Sequence, residues 1–199
     1  MEWNDKFMTM FRAAVARFHA QPQTPSDHFF LPEEGKFLSE IGYKESEMYA
    51  YIKAYATKGD PSPSTVLLIA AMRRSFFITS QRGIFGNAQP VTEEDLPSET
   101  DDYQGIVYLP RMIRKAEAKL HGTLGEGLMY YCEQDREFLR THGGIHPADF
   151  LHLTWTAHGD KQRMITAVIN AMRASQAAMG TRAKSTPMPE AVQRELQLD

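Results

Sequence analysis

The chain of 199 residues carries 22 Lys and Arg against 25 Asp and Glu, a formal net charge of −3, which argues against a general nucleic-acid-binding surface. With 42% hydrophobic and 24% charged residues it has an ordinary globular composition, and its longest apolar run, Val66 to Met72, is too short to span a bilayer. No basic segment followed by an apolar stretch opens it, and Cys132 is its single cysteine, so no internal disulfide forms and a cytoplasmic location is expected.

Residues 5–19 place Phe7, Phe11, Ala14, Val15 and Phe18 at helical spacing, which predicts an amphipathic helix. Gln21 to Asp27 is a proline-containing loop. Pro32, Glu33 and Glu34 then open a short helix, with the acids at the positive end of its dipole. It carries Phe37, Leu38 and Ile41 and stops at Gly42. Glu45 to Lys58 reads as a third helix with Met48, Tyr49, Ile52 and Tyr55 on one face, stopped by Gly59. Pro61 to Ser64 is a rigid turn that supplies a cap for a long helix from Thr65 to about Ser80.

From Gly83 to Tyr103 the periodicity fails. Gly86, Pro90, Pro97 and the acids Glu93 to Asp95 predict a linker over 83–104, with room for one helical turn at Thr92 to Leu96. A central helix follows and ends at Gly122. Glu133 to His142 and Pro147 to His158 are short helices. Asp160 to Met179 is a last long one with the stripe Ile165, Val168, Ile169 and Met172, and Gly180 is its expected end. Thr181 to Asp199 reads as a loose tail with a short helix over Pro189 to Leu198.

The two halves resemble each other. Met10, Arg12, Ala14, Ala16 and His19 recur in order as Met112, Arg114, Ala116, Ala118 and His121. Gly59, Asp60, Ala71, Met72 and Arg73 recur as Gly159, Asp160, Ala171, Met172 and Arg173. The fold expected is therefore all-α: two pseudo-symmetric four-helix units, 1–82 and 105–180, arisen by internal duplication and packed about a pseudo-twofold axis. The linker 83–104 joins them and the tail 181–199 follows. Caps and apolar stripes recur in any helical protein, so chance recurrence is the alternative. The helix from Thr65 to Met72 is apolar nearly all round, which suits the contact between units or a homodimer interface.

In the central helix Leu109, Met112, Ile113, Ala116 and Leu120 form the apolar stripe, and Pro110 sits in the first turn. Arg111, Arg114, Lys115 and Lys119 lie mostly off it. A cation as early as Arg111 opposes the helix dipole, so Arg111 calls for a partner: a carboxylate, the backbone of another segment, or an anionic ligand. The run Gly105-Ile-Val-Tyr-Leu-Pro-Arg111, followed by Tyr130, Tyr131, Cys132, Asp135 and Arg136 to Gly143, resembles a bacterial family, domain of unknown function 5069. The resemblance covers residues 105–173 and implies no activity or catalytic residue. It makes the first half a diverged copy, with Thr9 in place of Arg111.

The strongest constellation is Tyr108, Arg111, Lys115, Tyr130, Tyr131 and Asp135, which is expected to line a pocket for a small anion; the plainer reading is that Arg111 and Asp135 pin a turn to the helix. Cys132 needs a cationic neighbour to be a nucleophile. His142 and His146 are separated by Gly143 and Gly144, and His152 and His158 fall off helical ligand spacing, so no metal site is expected. His19 and His121 close equivalent helix ends, where imidazolium suits the dipole. No phosphate-loop or nucleophile-elbow motif is present, and no cofactor is expected. Two classes stay open: a module binding a small anionic molecule or a protein partner, and an enzyme with a non-standard site at Arg111, Tyr131, Cys132 and Asp135.

Overall fold

The computed structural model describes residues 2–185, with side chains described to residue 178. The expected short helix over 189–198 lies outside the described residues. The helical periodicities become α1 (Trp3–Ala20), α2 (Pro32–Glu40), α3 (Glu45–Lys58), α4 (Pro63–Thr79), α5 (Leu109–His121), α6 (Glu133–Thr141), α7 (Pro147–Ala157) and α8 (Lys161–Ser185). The fold is all-α apart from one small hairpin. No helix among the described residues is long and apolar enough to cross a membrane.

Local chemistry sets the ends. Ser62 accepts a hydrogen bond from the Thr65 N–H at 3.2 Å and so caps α4. Gly59 ends α3 in the left-handed region, φ 73°, where glycine carries no Cβ penalty. At the start of α2 the Glu34 carboxylate turns back to the Leu31 N–H at 2.9 Å and takes a bidentate pair from Arg17 of α1. α8 does not end at Gly180: it continues to Ser185. One isolated glycine costs a helix about 1 kcal/mol, which does not by itself stop one.

α1 packs on α3 and α4, α4 on α5 and α7, α5 on α7, and α7 on α8. The core is continuous across the halves, running from Phe7 and Phe11 through Met48 and Ile69 to Met112, Leu139, Phe150 and Val168. The packing of the two halves is not reciprocal. α4 reaches into the second half against α5 and α7, whereas its counterpart α8 packs chiefly on α7. α4 therefore lies between the halves, burying Val66, Ile69 and Ala70, with Leu68 exposed.

The linker stretch 83–104 is anchored: its Val91 and Leu96 enter the core, as does Ile106 just beyond it, and Val91 bridges to Leu124. Glu93–Asp95 forms one 3-10 turn. A two-stranded antiparallel hairpin, β1 (Asp102–Tyr103) and β2 (Ile106–Val107), then delivers the chain to α5. Isolated apolar residues among prolines and acids have no period, so their burial left no pattern to read.

Candidate functional site

α5 is the axis of the site. Its stripe is buried as expected, but so are the cations off the stripe: Arg111, Lys115 and Lys119 are 6%, 3% and 0% exposed. They succeed one another at four-residue spacing, so they form a column along one side of the helix. Each reaches a carboxylate from a different segment.

Arg111 binds Glu93 of the 3-10 turn through Nη2 and donates Nη1 to the Pro97 carbonyl at 3.0 Å. Two of the three partner types expected for it, carboxylate and backbone, are thus supplied by the segment 83–104. One turn on, Lys115 Nζ lies 2.6 Å from Asp135 Oδ2. Asp135, itself 0% exposed, also accepts from the Tyr108 hydroxyl at 2.8 Å and from the backbone N–H groups of Tyr131 and Cys132. Burial and the neighbouring Asp135 raise the pKa of Tyr108, which holds it as a donor. Tyr130 is turned away and donates to the Pro147 carbonyl at 2.8 Å.

Of the six residues expected around an anion pocket, Tyr108, Lys115 and Asp135 therefore form one hydrogen-bonded cluster. Tyr131 joins it through its backbone. Arg111 pairs with Glu93 rather than Asp135, and Tyr130 binds elsewhere. Tyr131 and Cys132 line an open groove of about 850 Å3 together with Asp60 and Arg136. The cationic neighbour of the Cys132 thiol is Lys115, at 3.3 Å.

The third cation belongs to a different cluster, which the sequence reading missed. Lys119 Nζ lies 2.7 Å from Glu47 Oε2 of α3 and 3.8 Å from the centre of the Tyr43 ring. Burial pushes the Lys119 amine down to about 8, against the opposing pull of Glu47. Arg73 of α4 stands beside them, 0% exposed. Its Nη1 donates to the Leu120 carbonyl at 2.7 Å and to Gln81 at 2.6 Å, and its guanidinium packs over Phe77 and Phe85. Its Nε and Nη2 make no hydrogen bond among the described residues; neither do the Tyr43 hydroxyl and Glu47 Oε1. Burial raises the pKa of Tyr43 well above its ordinary value and lowers that of Arg73.

This cluster lies behind a cleft of about 540 Å3 between α2, the start of α3, and the segments around Phe85 and Thr123. Tyr43, Phe85 and Gly122 line it. Gly122 has φ 69°, and a Cβ there would stand 2.5 Å from Arg73 Nη2, so the bare backbone is what lets the guanidinium come so close to the cleft wall. Two signals were legible beforehand. Arg73 interrupts the most apolar helix of the chain, and Lys119 continues the spacing of Arg111 and Lys115.

His121 closes α5 against Phe76, ring centres 4.8 Å apart. Burial, then Arg73 and Arg114, lower its pKa, so this ring favours the neutral form and the dipole-bound imidazolium expected at the helix end is corrected. Among the described residues no group of three or more His, Cys, Asp or Glu side chains is arranged to hold a metal ion. No family model, no curated protein and no solved structure matches this chain.

Proposed function

We propose that this chain is a binding module for a small anion, carboxylate or phosphate, taken up in the cleft in front of Arg73. The observation that carries the reading is the fully buried guanidinium whose Nε and Nη2 have no hydrogen-bond partner among the described residues. Arg73 and Lys119 set two cations against the single carboxylate of Glu47, so the cluster holds an excess positive charge away from water. A buried charge without full compensation is costly, and an incoming anion offsets that cost. A guanidinium presents paired donors that match the two oxygens of a carboxylate or phosphate. The Tyr108, Arg111, Lys115 and Asp135 cluster has less to offer: a ligand there must first displace Asp135 or Glu93. Kinship with the unknown-function family 5069 is proposed on residues 105–173 and adds no activity to this reading.

The test is thermal unfolding of the wild type and Arg73→Met in acetate and in inorganic phosphate, at fixed ionic strength against chloride. Ligand bound only to the native state raises the midpoint by mass action. The expected result is a rise in the wild type that is absent in Arg73→Met. An equal rise in both proteins, or none in either, removes the proposal.

A second reading keeps the chain an enzyme. Its support is the Lys115 amine 3.3 Å from Cys132 Sγ, the cationic neighbour that a nucleophilic cysteine calls for. On this reading Lys115→Met slows alkylation of Cys132 by iodoacetamide at neutral pH. Unchanged kinetics in a folded variant dismiss it.

A further inference from the structure

The cleft is polar in a directed way. Behind its wall stand Arg73 and Lys119. Its lining includes Asp27, Glu45 and Glu126, against the single cation Lys44, whose amine is already directed at the Leu124 carbonyl at 3.4 Å. The Asp27 carboxylate has its own neighbour, the His28 ring at 3.8 Å, but Glu45 has neither an ion pair nor a hydrogen bond among the described residues. Glu45 is only partly exposed, and its carboxylate lies flat over α2: a Cβ at Gly35 would collide with it. Glycine inside a short helix is unfavourable, so position 35 gives up helix stability and leaves room for that carboxylate. Two glycines thus shape the cleft, Gly122 at the cationic end and Gly35 at the acidic end.

A simple anion would meet the attraction of Arg73 and also the repulsion of these acids. A molecule carrying a cation at its other end would meet attraction at both. Phe85 and Tyr43 supply an apolar part of the lining.

We propose that the ligand is a zwitterion, a carboxylate and an ammonium joined by a short apolar body, with the carboxylate toward Arg73 and the ammonium on Glu45. This rests on the anion-binding reading above and narrows it to a class: amino acids and their chain-extended or short-peptide relatives. Glu45 is then the specificity-determining residue, because it rejects the anion that lacks the second charge.

The experiment is isothermal titration calorimetry of the full chain with 6-aminohexanoate, hexanoate and hexylamine, which share one carbon body, and with glycine and 4-aminobutyrate to vary the charge separation. The expected result is that the best dipolar probe binds the wild type at least about tenfold more tightly than hexanoate, and hexylamine more weakly than either. In Glu45→Gln that preference falls to within about twofold while hexanoate binding is retained, and in Arg73→Met binding of both is lost. Gly35→Ala, which displaces the Glu45 carboxylate without removing its charge, reduces the preference in the same direction; an undiminished preference in Gly35→Ala and Glu45→Gln together overturns the role of Glu45. If hexanoate and every dipolar probe bind the wild type equally, with Arg73 required, the zwitterion inference fails and anion binding stands. If no probe binds, or Arg73→Met binds as well as the wild type, the anion reading fails and this inference with it.

Discussion

Lys115 and Lys119 sit one turn apart on the same helix, both buried, each against a carboxylate, yet their surroundings differ in kind. Around Lys115 the pairing is nearly complete: Asp135 collects the amine, a phenol and two backbone N–H groups, and the one buried side-chain atom left without a hydrogen bond among the described residues is Nε of the neighbouring Arg111. Around Lys119 the amine is paired with Glu47, but Arg73 brings a second cation whose Nε and Nη2 have no hydrogen bond among the described residues, beside the Tyr43 hydroxyl and Glu47 Oε1, which have none there either. The first arrangement is what a protein builds to hold itself together. The second spends stability on groups that no described residue satisfies, and such groups are expected where a ligand completes the set.

Mutations can break that contrast. The largest effect expected is for Asp135→Ala. It strands Lys115 in the core and removes the acceptor of three other donors, so chemical unfolding is expected to show a loss of about 3–5 kcal/mol. A loss below about 1 kcal/mol would mean the cluster is not the structural one.

Next is the dependence on pH. The Lys119 amine is held near 8 in the native state, below the ordinary lysine value of about 10.4. Across that window the unfolded chain binds a proton that the native chain has released, so this group makes stability rise with pH. Above about pH 10 the buried tyrosines Tyr43, Tyr51 and Tyr130, whose pKa values are raised by burial, keep protons that the unfolded chain loses, and stability falls. Urea midpoints measured across pH 7 to 11 are expected to pass through a maximum. The rising limb should vanish in the double variant Lys119→Met, Glu47→Gln; if it persists there, another group is its source.

A smaller effect is expected of Glu93→Ala, because the Glu93 side chain is 65% exposed and the Pro97 carbonyl still holds Arg111. About 1 kcal/mol or less in the same unfolding assay suits a half-solvated pair. The smallest belongs to Arg73→Met. Losing two hydrogen bonds is offset by removing two unpaired buried donors, so its stability without ligand is expected within about 1 kcal/mol of wild type. A loss as large as that of Asp135→Ala would make Arg73 a structural residue and erase the contrast.

How much of this was legible beforehand follows from what leaves a period in sequence. The eight helices were legible because each carries an apolar stripe, and most of their stops because proline, serine or glycine stands at the ends; Gly180, read as the stop of α8, lies inside that helix. The pairing of Arg111 was legible in part, since a cation in a first turn calls for a partner. Its partner Glu93 was read as part of a linker, because one turn of acids between prolines carries no periodic signal. Lys119 and Arg73 were passed over for another reason. Off-stripe cations on a helix usually face water, and burial on the far side depends on elements distant in sequence, here α3 and α4. Gly122 read only as a helix end and Gly35 drew no reading, and the value of both lies in the space they leave for Arg73 and Glu45.

The three carboxylates that meet α5 also set an order in which this helix can be neutralised as the chain is made. Glu47 and Glu93 precede it, by 72 and 18 residues from their partners, whereas Asp135 follows Lys115 by 20. A chain leaving the ribosome therefore has partners ready for the two ends of the cation column, while its middle waits for α6. Until Asp135 arrives, docking α5 would bury a bare ammonium, so the first half has no route to a finished core by itself. On that account a fragment ending before α6 should stay loosely packed.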